Sequence, residues 1–208
     1  MGRLAAALGA TGTAMARTRA SRFVPSGVSW CNANTTSKHP NFRFTLADIY
    51  NREYNPTGLL SAAEYRFPYP DDTFDLVVLI SVFTHMLPAE MEHYVAEISR
   101  VLKREGKCFA TYSLLDGESL RTMEAGESQR RFTSVGPHWV VDTKVPELAV
   151  AYEESFVRNL YQRYGHSCNV HYGTWSGRPT PPDDPPRFDQ DFVLTTKGDR
   201  APRAQPSS

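Results

Sequence analysis

From residue 41 onward, apolar runs and polar connections alternate regularly along the chain. The segment "FRFTLADI" alternates apolar and polar side chains, favours β-structure and ends near an acid, which predicts a strand. A polar, tyrosine-rich connection follows, broken by Pro56, Gly58, Pro68 and Pro70. Next comes "FDLVVLISVF", a continuous apolar run with four β-branched residues, Val77, Val78, Ile80 and Val82. Continuous hydrophobicity predicts a strand buried on both faces, as in a parallel sheet covered by helices. The segment "PAEMEHYVAEISRVLKR" then changes period. Met91, Tyr94, Val95, Ile98, Val101 and Leu102 share one helical face, Pro88 suits the first turn, and Glu90 and Glu92 sit near the positive end. Lys103 and Arg104 close this predicted helix, with Gly106 as a left-handed stop. "KCFATYSLL" reads as the next strand, so strand, helix and strand make a right-handed crossover.

Beyond this unit the pattern thins. Asp116 to Pro146 reads as loop, followed by an amphipathic helix from Glu153 to Tyr164 that stops at Gly165. "CNVHYGTWS" and "DFVLTTK" predict a final antiparallel strand pair, joined through the proline-rich "GRPTPPDDPPR". From Gly198 the tail is polar and proline-bearing, and is expected to be disordered.

A chain of 208 residues at 40% apolar and 22% charged suits one domain with a real core. Its formal net charge of zero gives no electrostatic footprint for nucleic acid or an anionic membrane. "LVVLISVF", the longest apolar stretch, is too short to span a bilayer, which takes about 20 residues. Cys31, Cys108 and Cys168 fit no metal-binding spacing and read as reduced thiols of a cytoplasmic protein. One region departs from the average. Asp48 is the first acid in the chain, preceded by Arg3, Arg17, Arg19, Arg22, Lys38 and Arg43, and an acid-poor, arginine-bearing start resembles an organellar targeting segment.

In an open parallel sheet, ligands bind beyond the carboxyl ends of the strands, which directs attention to Ala47 to Ile49 and Ser81 to Met86. His85 is the candidate general base there, because imidazole can take a proton near neutral pH. Tyr50, Tyr54, Tyr65 and Tyr69 could form an aromatic acceptor pocket or simply pack their own loop. At the amino-terminal side of the buried strand, Asp71 and Asp72 read as turn residues.

"FTLADIY", "FPYPDDTFDLVVLISVFTHM" and "EISRVLKREGKCFATY" together resemble class I S-adenosylmethionine-dependent methyltransferases from Asn41 to Tyr112, more weakly to Lys197. The resemblance implies a Rossmann-like α/β fold, a mostly parallel sheet flanked by helices, with an antiparallel C-terminal strand pair and a first strand missing or degenerate. It implies S-adenosylmethionine as cofactor, a small-molecule methyl acceptor, and no nucleic-acid or membrane partner; the oligomeric state stays open. By position, Asp48 and Ile49 would meet the adenine, and Ser81, Val82 and Phe83 the methionine and sulfonium end. "MGRLAAAL" resembles the end of the family's glycine-rich turn and the start of its first helix, which makes Gly2 that turn's last glycine. Arg22 or Phe23 stands where the family places a ribose-binding acid, and the stretch from Thr11 to Val24, with three arginines, is a poor candidate for a doubly buried strand. Val24 to Cys31 resemble the following helix. The chain thus divides into a degenerate cofactor-binding part (1–40), a methyltransferase-like α/β domain (41–197) and a tail (198–208). The alternative to an enzyme is a truncated, non-catalytic relative or interaction module that binds the cofactor weakly or not at all.

Overall fold

The computed structural model describes residues 4–9, 17–22, 25–52, 55–179 and 188–198, the first two stretches as backbone. Gly2, Phe23, Tyr54 and the tail beyond Gly198 lie outside the described residues. The strands are β1 (Leu4–Gly9), β2 (Arg17–Arg22), β3 (Phe42–Leu46), β4 (Phe74–Ile80), β5 (Leu102–Tyr112), β6 (Leu114–Leu115), β7 (Thr133–Val135), β8 (His138–Val140), β9 (Val150–Glu153), β10 (His166–His171) and β11 (Asp191–Lys197). Four α-helices accompany them: α1 (Pro25–Cys31), α2 (Pro88–Val101), α3 (Gly117–Ala125) and α4 (Glu154–Arg163).

Seven strands form the main sheet in the order β10-β11-β5-β4-β1-β2-β3. β2 and β3 are parallel, as are β4 and β5, while β11 runs antiparallel to both β5 and β10. This is the expected Rossmann-like α/β arrangement with an antiparallel C-terminal pair.

The N-terminal expectation needs correction. Leu4–Gly9 is not the start of a helix but a strand in the central slot, antiparallel to both β4 and β2. Arg17–Arg22, the arginine-bearing stretch judged a poor strand, is β2. Chain length supplies the reason. Only residues 10–16 separate β1 from β2, and a parallel crossover takes roughly a dozen residues or more. Neighbours joined so briefly must pair antiparallel. Because β2 keeps the direction of β3 and β4, it is β1 that turns round.

One face of the sheet is fully packed. Val77 and Leu79 of β4, Cys108, Ala110 and Tyr112 of β5 and Val193 of β11 are buried with Val95 and Ile98 of α2 and Val157, Leu160 and Tyr161 of α4. Met91 and Tyr94 belong to this core, as their helical spacing predicts. Burial pushes the Cys108 thiol up to about 12 and the Cys168 thiol up to about 11, so neither is a nucleophile at neutral pH. The other face corrects the double burial predicted for β4: Leu76, Val78, Phe109, Phe192 and Leu194 are only half-buried. There the aromatic rings cover one another, Phe109 at 4.9 Å from Phe192 and His171 stacked on Phe192 at 4.5 Å.

The region read as loop, Asp116 to Pro146, holds α3, β7 and β8, and β7 and β8 join β6 and β9 in a second sheet, β6-β9-β8-β7, with its own core of Leu115, Met123, Phe132, Ala151 and Trp175. The predicted long helix ends early, at Val101, and Leu102 already pairs with Phe74. The left-handed residue is Glu105 (φ 60°) rather than Gly106, whose missing side chain lets the backbone pass close to Phe74 and Lys103.

The segment before β4 is held onto α2 by Arg100. Its guanidinium donates to Glu97 Oε1 at 2.8 Å and Oε2 at 2.6 Å, to Asp71 Oδ1 at 2.8 Å, and to the carbonyls of Tyr69 (2.8 Å) and Phe67 (3.0 Å). Burial opposes ionisation of Glu97, but hydrogen bonds from Arg100 and the Phe67 amide outweigh it and hold the carboxyl below its usual range. Lys103 pairs with Asp75 at 2.9 Å and Lys197 with Asp72 at 2.9 Å. The acids of "PDDTFD" are thus fasteners at the amino-terminal edge of the sheet. Arg100→Gln should cost about 2–4 kcal/mol of unfolding free energy in denaturant titration at pH 7. A depressed carboxylate contributes stability above its unfolded pKa of about 4.3 and loses it as pH falls through the lower folded value. The wild type should therefore lose stability below about pH 4 more steeply than Arg100→Gln. Parallel pH dependences of the two proteins would contradict this assignment.

Candidate functional site

β2, β3, β4 and β5 all end at the same edge of the sheet, which is where an open α/β sheet binds ligands. After β3 the chain turns at once: the Ile49 amide donates to the Ala47 carbonyl at 2.8 Å, and Ala47 and Ile49 are buried. Residues 55–60 fold back to fix that turn. The amides of Leu59 and Leu60 donate to the Asp48 carbonyl at 3.2 and 3.0 Å, and the Tyr50 amide donates to the Leu60 carbonyl at 2.8 Å. Asn55, itself buried, donates from Nδ2 to Asp48 Oδ1 at 3.2 Å and to the Ile49 carbonyl at 3.0 Å. Gly58 lies flat on this segment; a Cβ there would meet the Ile49 carbonyl carbon at 2.4 Å. The Asp48 carboxylate is therefore held in place and only partly buried. Sequence reasoning missed Asn55 and Gly58, although "NPTG" is a turn signal.

After β4 the chain leaves the sheet through Ser81, a non-glycine residue in the left-handed region (φ 53°). Its amide donates to Thr111 Oγ1 at 2.8 Å and its hydroxyl to Gln190 Oε1 at 3.0 Å. Val82 and Phe83 are buried, and Phe83 stacks on Tyr112 at 5.1 Å, so these two residues offer a ligand their backbone rather than their side chains. Phe83–His85 form a single 3₁₀ turn. The buried Thr84 hydroxyl has no partner among the described residues, an arrangement that costs about 1–3 kcal/mol. His85 follows, half-buried, with Nδ1 at 2.8 Å from the Glu147 carbonyl. A carbonyl only accepts, so Nδ1 carries the proton and the neutral ring keeps its lone pair on Nε2. The Tyr152 hydroxyl donates to the Met86 carbonyl at 2.5 Å and holds the end of this turn.

Two loops border the region. Arg52, from the segment after β3, donates to the Lys144 carbonyl at 3.4 Å, three residues before the Glu147 that holds His85. Glu90 donates nothing here; it accepts from the Leu87 amide at 2.8 Å, and burial raises its carboxyl above the ordinary range. Of the tyrosines, Tyr50 is exposed at this rim, whereas Tyr65 and Tyr69 pack against Phe67 and Phe74 on the α2 side. The self-packed reading therefore holds for Tyr65 and Tyr69. Among the described residues no group of His, Cys, Asp and Glu could hold a metal ion, and no helix is long and apolar enough to cross a membrane.

The fold defines an α/β protein of the Rossmann-like class, and the candidate site is the edge at the carboxyl ends of β3 and β4. The sequence profile of the methyltransferase domain matches residues 2–110, and the chain belongs to that family. Solved structures agree on the fold. The PH0226 protein of Pyrococcus horikoshii OT3 is 13% identical, with 86% of this chain and 69% of that one covered at a TM-score of 0.52. A complex between the Haloferax volcanii Trm112 methyltransferase activator and a protein assigned as a methyltransferase matches at 14% identity, covering 86% and 70%, with a TM-score of 0.51. Membership of this family implies S-adenosylmethionine as the cofactor.

The described residues fit that cofactor unevenly. Asp48, the residue expected to meet the adenine, presents a fixed carboxylate beside the buried Ile49. Among the described residues, β2 carries no acid. Reversal of β1 puts its carboxyl end, Gly9, opposite Arg17, at the far edge of the sheet from Ser81, and β2 ends on Arg22 opposite Leu46. Gly58→Ala should displace the Asp48–Tyr50 turn and cost about 1–3 kcal/mol in denaturant titration. Amide resonances of residues 48–50 that do not move in that variant would show that the close approach is not needed.

Proposed function

We propose that the chain transfers the methyl group of S-adenosylmethionine to a small-molecule acceptor at the carboxyl ends of β3 and β4. The observation that carries this reading is the placing of Asp48 and the Ser81–His85 segment at one edge of a methyltransferase-domain sheet. In this reading the Asp48 carboxylate accepts from the adenine amino group, beside Ile49. The backbone of Ser81, Val82 and Phe83 lines the methionine end. His85, whose Nδ1 is fixed by the Glu147 carbonyl, is the candidate base for an oxygen or nitrogen nucleophile. Bound S-adenosylmethionine supplies an electrophilic methyl on a sulfonium, so alignment of nucleophile and methyl carries most of the rate. The first 40 residues serve as a degenerate cofactor-binding part and residues 41–197 as the working domain.

A second reading has a specific observation in its favour. The reversed β1 and the arginine at the end of β2 leave the ribose without the turn and acid that usually hold it, which favours a relative that binds the cofactor weakly or not at all.

Calorimetric titration with S-adenosylhomocysteine separates the two. Binding by the wild type is expected, weakened roughly 10- to 150-fold in Asp48→Ala, as loss of a hydrogen bond to a charged group implies. His85→Gln should leave this affinity unchanged while abolishing methyl transfer to a panel of hydroxyl and amine acceptors. Folded protein that gives no heat at millimolar ligand would remove the enzyme reading.

A further inference from the structure

Three described non-glycine residues have a left-handed backbone: Asp72, Ser81 and Glu105. Both Asp72, in the turn before β4, and Glu105, at the irregular start of β5, lie at the amino-terminal edge of the sheet. Only Ser81 lies at the functional edge. A residue with a Cβ resists this conformation by about 1–2 kcal/mol and keeps it only where its surroundings over-determine it. Two contacts, from different strands, do so here. Thr111, buried in β5, accepts the Ser81 amide at 2.8 Å, and Gln190, immediately before β11, accepts the Ser81 hydroxyl at 3.0 Å. Both protein-facing donors of Ser81 are thereby committed, and the direction in which the chain leaves β4 is set by residues 30 and 109 positions away.

We infer that Thr111 and Gln190 are positioning residues that hold Ser81 in its left-handed conformation and so aim the Ser81–His85 segment at the methionine end of the cofactor. The inference rests on the reading of this segment as the methyl-transfer edge. Neither residue touches the reacting atoms. Thr111 acts through the Ser81 amide, which fixes φ and ψ of the turn; Gln190 acts through the Ser81 side chain, which ties that turn to the opening of β11. Asp48 lies beyond β1 and β2 in the strand order and is fixed by its own loop, so the adenine end is independent of this clamp.

That independence supplies the test. S-adenosylhomocysteine and adenosine are titrated calorimetrically into the wild type, Thr111→Val, Thr111→Ser and Gln190→Ala. Thr111→Val should bind S-adenosylhomocysteine about 3- to 10-fold more weakly, the worth of one hydrogen bond, with adenosine affinity unchanged. Thr111→Ser, which keeps the acceptor, should restore binding to within about 2-fold. Gln190→Ala should behave like Thr111→Val but more mildly. Amide hydrogen exchange on the unliganded protein adds a readout free of ligand: residues 81–85 should exchange faster in Thr111→Val while residues 48–60 do not. Equal S-adenosylhomocysteine affinity in wild type and Thr111→Val overturns the positioning role. So does a parallel loss of both ligands with lowered thermal stability, which marks Thr111 as structural only. A wild type that binds adenosine but gains nothing from the homocysteine portion removes the reading of the β4 edge, and this inference with it. A wild type that binds neither ligand removes both.

Discussion

One buried carboxylate, Asp191, ties together the parts that surround the candidate edge. It opens β11 opposite Tyr112, so it sits at the carboxyl end of β5 although it is more than 70 residues further along the chain. Its Oδ2 accepts from the Leu114 amide at 2.7 Å and from Trp175 Nε1 at 2.6 Å, and its Oδ1 from the Gly173 amide at 2.7 Å. The Leu114 contact starts β6 of the second sheet, and Trp175 fills that sheet's core edge-on against Phe132 at 5.4 Å. Burial raises the Asp191 carboxyl above the ordinary range, and the three N–H donors together with the more distant Arg178 charge only partly offset it. Each charge-assisted hydrogen bond contributes about 1.5–3 kcal/mol, against a desolvation cost of several kcal/mol for the ion. The sum is close to neutral, so the carboxylate does more for geometry than for stability. It sets how the second sheet sits over the end of β5, and Gln190, its chain neighbour, passes that constraint to Ser81.

The second sheet is in turn fastened from outside by Arg178. This buried guanidinium meets Asp116 and Glu118 at the start of α3 and lies 3.9 Å over the Tyr172 ring. Asp116 also caps α3, accepting from the amides of Glu118 and Ser119. Burial works against its charge, but the Ser119 amide and Arg178 prevail and hold its carboxyl below the usual range. The segment that carries Tyr172 to Arg178 therefore bridges α3 and β11.

How much of this was readable beforehand follows from which forces leave a local trace. β4, α2 and β5 are legible because burial imposes a period on consecutive side chains, and the stop at Gly165 is legible because it takes a left-handed residue (φ 75°). The direction of β1 left no such trace. "LAAALG" is compatible with helix or strand, and what decides is the shortness of residues 10–16, a constraint on the connection rather than on the element. The second sheet was missed because its strands are only two to four residues long, too short to establish an alternation, and Thr133–Val135 is exposed at every position. At the candidate site, Asp48, Ser81 and His85 were singled out by their position after predicted strands, and the structure places them after β3 and β4. Asn55, Thr111 and Gln190 could not be singled out, because each acts through one hydrogen bond to a distant segment, and sequence spacing carries no record of it.

On the proposed reading, reversal of β1 redistributes the work of holding the cofactor. Loss of a carboxylate bonded to both ribose hydroxyls removes about 3–6 kcal/mol, or roughly 10²- to 10⁴-fold in affinity. What remains is the adenine contact at Asp48 and the backbone of the Ser81 turn, separated by two strands of the sheet. Two end contacts joined through a weakly held ribose gain most when both ends are rigid, because each then costs little ordering entropy on binding. The structure has that property at both ends. Asn55 and Gly58 fix the Asp48 turn, and Thr111 and Gln190 fix Ser81. Rigid ends and an unsupported middle favour a site that tolerates change in the ribose more readily than change in the adenine or in the amino-acid portion.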